Sequence, residues 1–402
     1  MHCIIYTAGA GTGKTTTLLQ LAKANIDNGH RKIQFATFSK SQTEDAAKRF
    51  TESNLISYVS VKTLHSIAYS CLSLDEVKTE DDMYIEKLIS KECESEISRL
   101  VSAVPIKKRK TAIKTITTFI RKTLEAFMNS ARSEEDGFDR YHTNYPAKLW
   151  HTGNDKPLGI SQYYGSFYVD NARAIWDKMR YSDDSNQPPE FFTHSSYVKI
   201  AQLRESKIDA TVILVDESQD LNECQIAWMA TQALRYNTQL YFVGDLAQTI
   251  YSFRGAKSKF IAQLEGYVRR PGGGTIPIID RSLTTSWRFG PTLAAIGNTV
   301  LFCKEFSPQT TGERGSKKDV VKTWYPYRLR GGKLGCDGED EGRITTQNLL
   351  SSETSGEWEG PVTVLAYSNM ELFKVALGYI TARKEGEEMK RFAVLGGKLS
   401  VV

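Results

Sequence analysis

Eight residues near the start of the chain, Ala8-Gly9-Ala10-Gly11-Thr12-Gly13-Lys14-Thr15, have the types and spacing to hold phosphate. The apolar stretch Cys3-Ile4-Ile5-Tyr6-Thr7 precedes them and a helical pattern over 16–24 follows. Strand, glycine-rich turn and helix in that order is the context that gives such a run its meaning. The glycines let backbone N–H groups converge on phosphate oxygens, and the helix N-terminus adds favourable partial charge. Lys14 is expected to reach the β- and γ-phosphates, and the Thr15 hydroxyl to hold Mg²⁺. The usual form of the run opens with Gly, where this chain has Ala8. The prediction is a bound nucleoside triphosphate.

A second set of chemical groups follows the apolar run Thr211-Val212-Ile213-Leu214-Val215, which delivers Asp216-Glu217-Ser218-Gln219-Asp220. A carboxylate at the end of such a strand is where a phosphate-binding enzyme holds Mg²⁺ through its waters, which gives Asp216 its role. Glu217 is placed to orient and deprotonate an attacking water, a pairing that suits hydrolysis. A third apolar run, Leu240-Tyr241-Phe242-Val243, leads to Gln248, Tyr251, Phe253 and Arg254. An amide such as Gln248 can sense a γ-phosphate by hydrogen bonding. The two aromatics admit two readings, core packing or platforms for an unpaired base, the latter worth about 1–3 kcal/mol per base. Finally Trp287-Arg288 joins a flat ring to a cation that could neutralise transition-state charge.

These groups need a scaffold. Strand-like runs at 33–38 and 59–61 and a helical pattern at 41–50 continue the alternation begun at the phosphate run. Strand and helix in turn argue a parallel sheet with right-handed crossovers. Asp216 lies roughly two hundred residues after Lys14, so a large domain must be inserted between strands of one sheet. The pattern over 74–203 is helical, with 153–168, rich in Gly, Tyr and Pro, expected to be a loop. Within it, 106–124 carries Lys107, Lys108, Arg109, Lys110, Lys114, Arg121 and Lys122, readable as a solvated helix face or as a DNA contact.

At 402 residues the chain is long enough for two or more domains, each with its own core. The formal charge of +5 is compatible with nucleic acid and decides nothing alone. Six scattered cysteines without a C-x-x-C read as reduced thiols, with neither a zinc site nor a disulfide framework. No apolar run is long enough to cross a bilayer, so no membrane partner is expected, and a cleavable leader before the phosphate run is not expected either.

Taken together, Ala8 to Thr15, Thr37-Phe38-Ser39-Lys40, Thr63-Leu64-His65, Val215 to Asp220, 244–256 and Trp287-Arg288 resemble the successive motifs of UvrD/Rep-type superfamily 1 helicases, in order and approximate spacing. Within that group, 62–69, 174–179, 197–199 and 286–290 are most similar to the eukaryotic F-box DNA helicases, although no F-box-like segment is present. The resemblance covers 4–301, with a weaker echo over 362–397. It implies an α/β fold: a P-loop NTPase (RecA-like) lobe at 1–73 and 206–280, a helical insertion at 74–205, and the beginning of a second RecA-like lobe at 281–402. It implies an ATPase site of Lys14, Thr15, Asp216, Glu217, Gln248 and Arg288, with Trp287 packing on the adenine. It also places Phe38, Thr63, His65, Tyr251, Phe253 and Arg254 along a single-stranded DNA track; a histidine after a strand, taken alone, is more often structural.

The implied activity is ATP- and Mg²⁺-dependent translocation on single-stranded or forked DNA, of the 3′ to 5′ type, in repair, recombination or replication. A nuclear location follows if the chain is eukaryotic, as the resemblance suggests. A Gly- and Ser-rich stretch at 331–360 is expected to be a mobile insertion, and a strand is expected at 361–369. Two late motifs of the group, one of them with an arginine for the γ-phosphate, are not found before Val402. The alternative expectation is therefore a module that holds ATP and single-stranded DNA and turns over poorly.

Overall fold

The computed structural model describes residues 2–72, 78–102, 105–134, 165–180, 189–248, 264–269 and 275–287, with short pieces at 298, 330–331, 392–393 and 400–401. The apolar runs become strands β1 (Cys3–Ala8), β2 (Ile33–Thr37), β3 (Val59–Thr63), β4 (Val212–Val215) and β5 (Gln239–Gly244), and a further strand not expected from the sequence, β6 (Ile278–Leu283), joins them. They form one sheet in the order β3-β2-β4-β5-β1-β6, and every neighbouring pair is parallel. The turns that follow all six strands therefore leave the sheet along one edge. The sheet runs through Leu283, three residues beyond the 280 at which the motor lobe was expected to end.

Both faces of the sheet are covered, and the strands show why. Val212 and Leu214 of β4 enter one apolar cluster with Phe35, Tyr241 and Val243. Ile213 and Val215 enter the other, with Leu240 and Phe242. Side chains alternate across a strand, so a run apolar at every position suits burial on both sides. Helices α1 (Lys14–Asp27) and α2 (Lys40–Glu52) cover the first face through Leu18, Ala22, Ala46 and Phe50. Helix α3 (Leu64–Leu72) lies on the second, and the helix His194–Leu203 packs against it.

Between α3 and β4 come the expected helices: α4 (Asp82–Glu92), α5 (Glu94–Val101), α6 (Ile106–Met128), α7 (Gly165–Met179) and α8 (His194–Leu203). Helix α6 buries Ala112, Ile116, Phe119, Ile120, Thr123, Leu124 and Phe127, a stripe at helical spacing. Its ring of Phe127 meets Trp176 of α7 edge-on, with centroids 5.1 Å apart. Because Tyr168 and Val169 are buried against this layer, α7 begins at Gly165 and the end of the loop expected over 153–168 is helical; 153–164 lie outside the described residues. The basic residues of α6 divide. Lys107, Lys108, Lys110 and Lys114 are exposed, Arg109 donates to the Ser102 carbonyl at 2.9 Å, and Arg121 pairs with Glu86 and Glu125.

After β4, α9 (Glu223–Tyr236) opens with an Asn222 and Gln225 capping box, and α10 (Leu264–Tyr267) is a single turn. Strand β7 (Thr285–Ser286) pairs in parallel with β8 (Arg330–Gly331). A second compact unit, 337–402, is described only by β9 (Phe392–Ala393) and β10 (Ser400–Val401), which pair antiparallel. The expected insertion at 331–360, beyond Gly331, and the expected strand at 361–369 lie outside the described residues.

Candidate active site

The phosphate run is a tight turn between β1 and α1. Gly11 and Gly13 have φ of 70° and 84°, a left-handed conformation that suits glycine, and Gly13 leads into Lys14, the first residue of α1. The turn is braced from within, since the Thr12 hydroxyl donates to the Gly9 carbonyl at 2.8 Å. It is braced from outside too. Trp287 N–H donates to the Gly11 carbonyl and Ser286 Oγ to the Ala10 carbonyl, both at 2.9 Å.

Strand β5 separates β1 from β4, and the acidic turn after β4 reaches back across its end. Glu217 Oε2 lies 3.9 Å from Lys14 Nζ, and the Thr15 side chain hydrogen-bonds Asp216. Asp216 Oδ1 also accepts the Glu217 N–H at 2.9 Å. Burial, and then the Glu217 charge beside it, push the Asp216 carboxyl up to about 6. Glu217 itself sits at φ 48°, a left-handed conformation unusual for a side-chain-bearing residue, which costs about 1 kcal/mol. That turn points the carboxylate toward Lys14 instead of along the strand.

A chain of contacts continues from there. Gln219 Nε2 donates to Glu217 Oε2 at 2.9 Å, and Gln219 Oε1 accepts the Asp245 N–H at 2.9 Å. Asp245 Oδ2 accepts the Gln248 side-chain amide at 2.5 Å and Oδ1 the Ala247 N–H at 3.0 Å. Ser218, Gln219 and Asp245 are all buried, and the Gln219 amide and the Asp245 carboxylate find their partners in these bonds, as buried polar groups must. Sequence reasoning assigned no role to Gln219 or Gly244. Gly244 is where the two turns touch: a Cβ there would lie 2.6 Å from both Gln219 Oε1 and Ser218 Oγ.

Two openings lie along this edge of the sheet. One, of about 400 Å³, is flanked by Thr16, Thr17 and Gln20 of α1 and by Leu283, Thr285 and Trp287 opposite. Trp287 keeps 54 % of its surface exposed there. The other, of about 450 Å³, is bordered by Lys40, Thr43, Glu44, Lys62, Thr63 and Ser66 at the ends of β2 and β3. Thr63 Oγ1 accepts the Ser66 N–H at 3.1 Å, and so caps the first turn of α3. Half-buried Phe38 follows β2, and half-buried His65 meets Tyr197 and His194 of α8 edge-on. Tyr251, Phe253, Arg254 and Arg288 lie outside the described residues.

The donor set suits a phosphate-bound divalent ion. Thr15 and Asp216 supply two oxygens, and Mg²⁺ sites of this kind take most of their ligands from water and phosphate. No group of three or more His, Cys, Asp or Glu side chains converges among the described residues, so no all-protein metal cage is offered there. Cys3, Cys93 and Cys224 are buried free thiols, pushed up to about 11, about 11 and about 12 by burial. Among the described residues, no helix is long and apolar enough to cross a membrane.

The profile of the UvrD/REP helicase N-terminal domain matches residues 2–268. The chain belongs to the UvrD/REP helicase family. The parallel sheet with its phosphate turn is the RecA-like fold of that family. This UvrD/REP chain is 27 % identical to F-box DNA helicase 1 of Gallus gallus over 397 residues, 97 % of this chain and 31 % of the relative. It is 27 % identical to F-box DNA helicase protein 1 of Schizosaccharomyces pombe over 311 residues, 74 % of this chain and 30 % of the relative. A probable DNA helicase II homolog of Mycoplasma capricolum is 25 % identical over 336 residues, 78 % of this chain and 41 % of the relative. The chain thus spans between about a third and two fifths of the length of these relatives.

Proposed function

We propose that this chain is the ATP-binding part of a DNA helicase, hydrolysing ATP to move along single-stranded DNA and part a fork. One observation carries the reading: the contact chain from Lys14 through Glu217, Gln219 and Asp245 to Gln248. It links the phosphate turn to the segment that leads to Tyr251, Phe253 and Arg254. The family and the DNA helicase names of the relatives support the same reading.

In this mechanism Lys14 neutralises charge on the β- and γ-phosphates of ATP. Glu217 takes the proton of the attacking water, whose oxygen bonds to the γ-phosphorus as the bridging oxygen leaves with ADP. Thr15 and Asp216 hold Mg²⁺, which when bound offsets phosphate charge. Arg288 completes the charge balance at the γ-phosphate, and Trp287 stacks on the base. Gln219 and Gln248 carry the state of the γ-phosphate toward the strand. The strand lies over Phe38, Thr63 and His65, where Lys40 and Lys62 meet its phosphates, and continues to Tyr251, Phe253 and Arg254. Movement is 3′ to 5′, in repair, recombination or replication, and nuclear, in keeping with the eukaryotic relatives.

Strand displacement by the whole chain on duplexes with a 3′ or a 5′ single-stranded tail tests this. ATP-dependent opening of the 3′-tailed duplex alone is expected. Opening of the 5′-tailed duplex alone would overturn the polarity. Tight ATP and single-strand binding without opening would favour the binding-module reading.

A further inference from the structure

We infer that Gln20 reads the base of the bound nucleotide and makes this site prefer adenine over guanine. The inference rests on the proposed ATP site and adds the residue that selects its substrate. The cleft of about 400 Å³ begins at Thr12 and Gly13 of the phosphate turn and runs along α1 past Thr16 and Thr17 to Gln20. Thr16 and Gln20 are one helical turn apart, on one face of α1, and both are exposed. The opposite wall is the end of β6 with Thr285 and Trp287. That wall is fixed to the phosphate turn by the two hydrogen bonds from Ser286 and Trp287, so the width of the cleft is set by the cradle itself.

Among the described residues no charged side chain borders the cleft, whereas the phosphate end has Lys14. The uncharged end therefore suits base and sugar. Trp287 can stack on any base, because every base has a π-face, so stacking contributes affinity without choice. The bordering hydroxyls of Ser282, Thr16, Thr17, Thr284 and Thr285 each donate or accept and adapt to either purine. Gln20 is different. Its carboxamide presents one acceptor and one donor side by side, the complement of adenine N6–H and N7. Guanine presents two acceptors, O6 and N7, on that edge, and one amide group cannot satisfy both.

The test is equilibrium binding of fluorescent ADP and fluorescent GDP to the whole chain, beside Gln20→Ala and Gln20→Glu. Glu keeps the size and the acceptor and removes the donor. A bidentate amide contact is worth about 10- to 100-fold in discrimination. The wild-type chain is expected to prefer ADP by about that factor, and Gln20→Ala to bind the two nucleotides within about twofold of each other. Gln20→Glu still accepts from adenine N6–H and repels guanine O6 and N7, so it should bind both more weakly and keep the ADP preference. Steady-state kinetics of Gln20→Ala should then show a loss carried mainly by KM for ATP rather than by kcat. An ADP preference that survives at wild-type size in Gln20→Ala overturns the inference, as does a wild-type chain that does not discriminate. Failure of all three proteins to bind either nucleotide would overturn the ATP site itself, and the role of Gln20 with it.

Discussion

The side-chain carbonyl of Gln219 accepts the backbone N–H of Asp245 at 2.9 Å, tying the turn after β4 to the turn after β5. The other end of the same amide donates to Glu217, the carboxylate that faces Lys14. One side chain thus touches both the proposed water-activating group and the segment that leads toward the DNA track.

Replacing Gln219 with Ala removes that tie. The buried Asp245 N–H loses its partner, at a cost of about 1–3 kcal/mol in stability. The expected functional result is ATP turnover that no longer responds to single-stranded DNA, with basal turnover reduced by about tenfold at most. ATPase assays with and without an oligonucleotide check this. Equal loss of basal and stimulated turnover would place Gln219 in the chemistry instead of in the coupling.

Gly244→Ala tests the close approach directly. The added Cβ would lie 2.6 Å from Gln219 Oε1 and from Ser218 Oγ, so the two turns must separate. A destabilisation of about 1–3 kcal/mol in urea unfolding is expected, together with weakened DNA stimulation. Unchanged stability would mean the turns are not held at this distance in solution.

Lys199 of α8 gives a pH dependence. Its ammonium is buried, donating to the carbonyls of Ser130 at 2.9 Å and Arg132 at 2.5 Å and to Gln202 Oε1 at 2.7 Å, 4.7 Å from the Phe127 ring centre. Burial lowers its pKa from 10.5 to about 8, against smaller upward effects of Cys224, Glu223 and Glu134. Between about 8 and 10.5 the unfolded chain binds a proton that the folded chain does not, so this group's contribution to stability rises with pH across that window. The full rise is about 3 kcal/mol. Unfolding free energies of the wild-type chain and Lys199→Met, compared at pH 7 and pH 10, should show the wild type gaining relative to the variant. The Tyr197 and Cys224 groups, pushed up to about 12, act with the opposite sign in both proteins. A flat difference would contradict the assignment.

Lys40 and Lys62 border the groove at the ends of β2 and β3. If the strand's phosphates lie there, Lys62→Ala weakens DNA binding at low salt. It also reduces the slope of log affinity against log salt by about 0.7, the contribution of one single-strand phosphate contact. Titrations of a labelled oligonucleotide at several salt concentrations measure the slope. An unchanged slope would remove Lys62 from the track.

What the sequence made legible were contiguous features. The turn at 8–15 and the Asp216-Glu217 pair are read along the chain, and the central strands β4 and β5 are apolar at almost every position because both faces of the sheet are buried there. Contacts between distant turns were not legible. Gln219 and Asp245 are 26 residues apart, and only the register of β4 against β5 brings them together. The role of Gly244 is invisible for the same reason, since the atoms a Cβ would strike belong to another strand's turn. The start of α7 was misread because Gly and Tyr suggest a loop locally, while burial of Tyr168 and Val169 makes those residues helical.

In the proposed function, ATP hydrolysis at Lys14 and Glu217 is coupled to a single strand of DNA. ATPase activity of the 402-residue chain with and without single-stranded DNA, beside Lys14→Ala, tests it most directly. Turnover that DNA strongly stimulates and that Lys14→Ala lowers by at least about 10²-fold is expected. ATP binding with negligible turnover, the same with and without DNA, would contradict it.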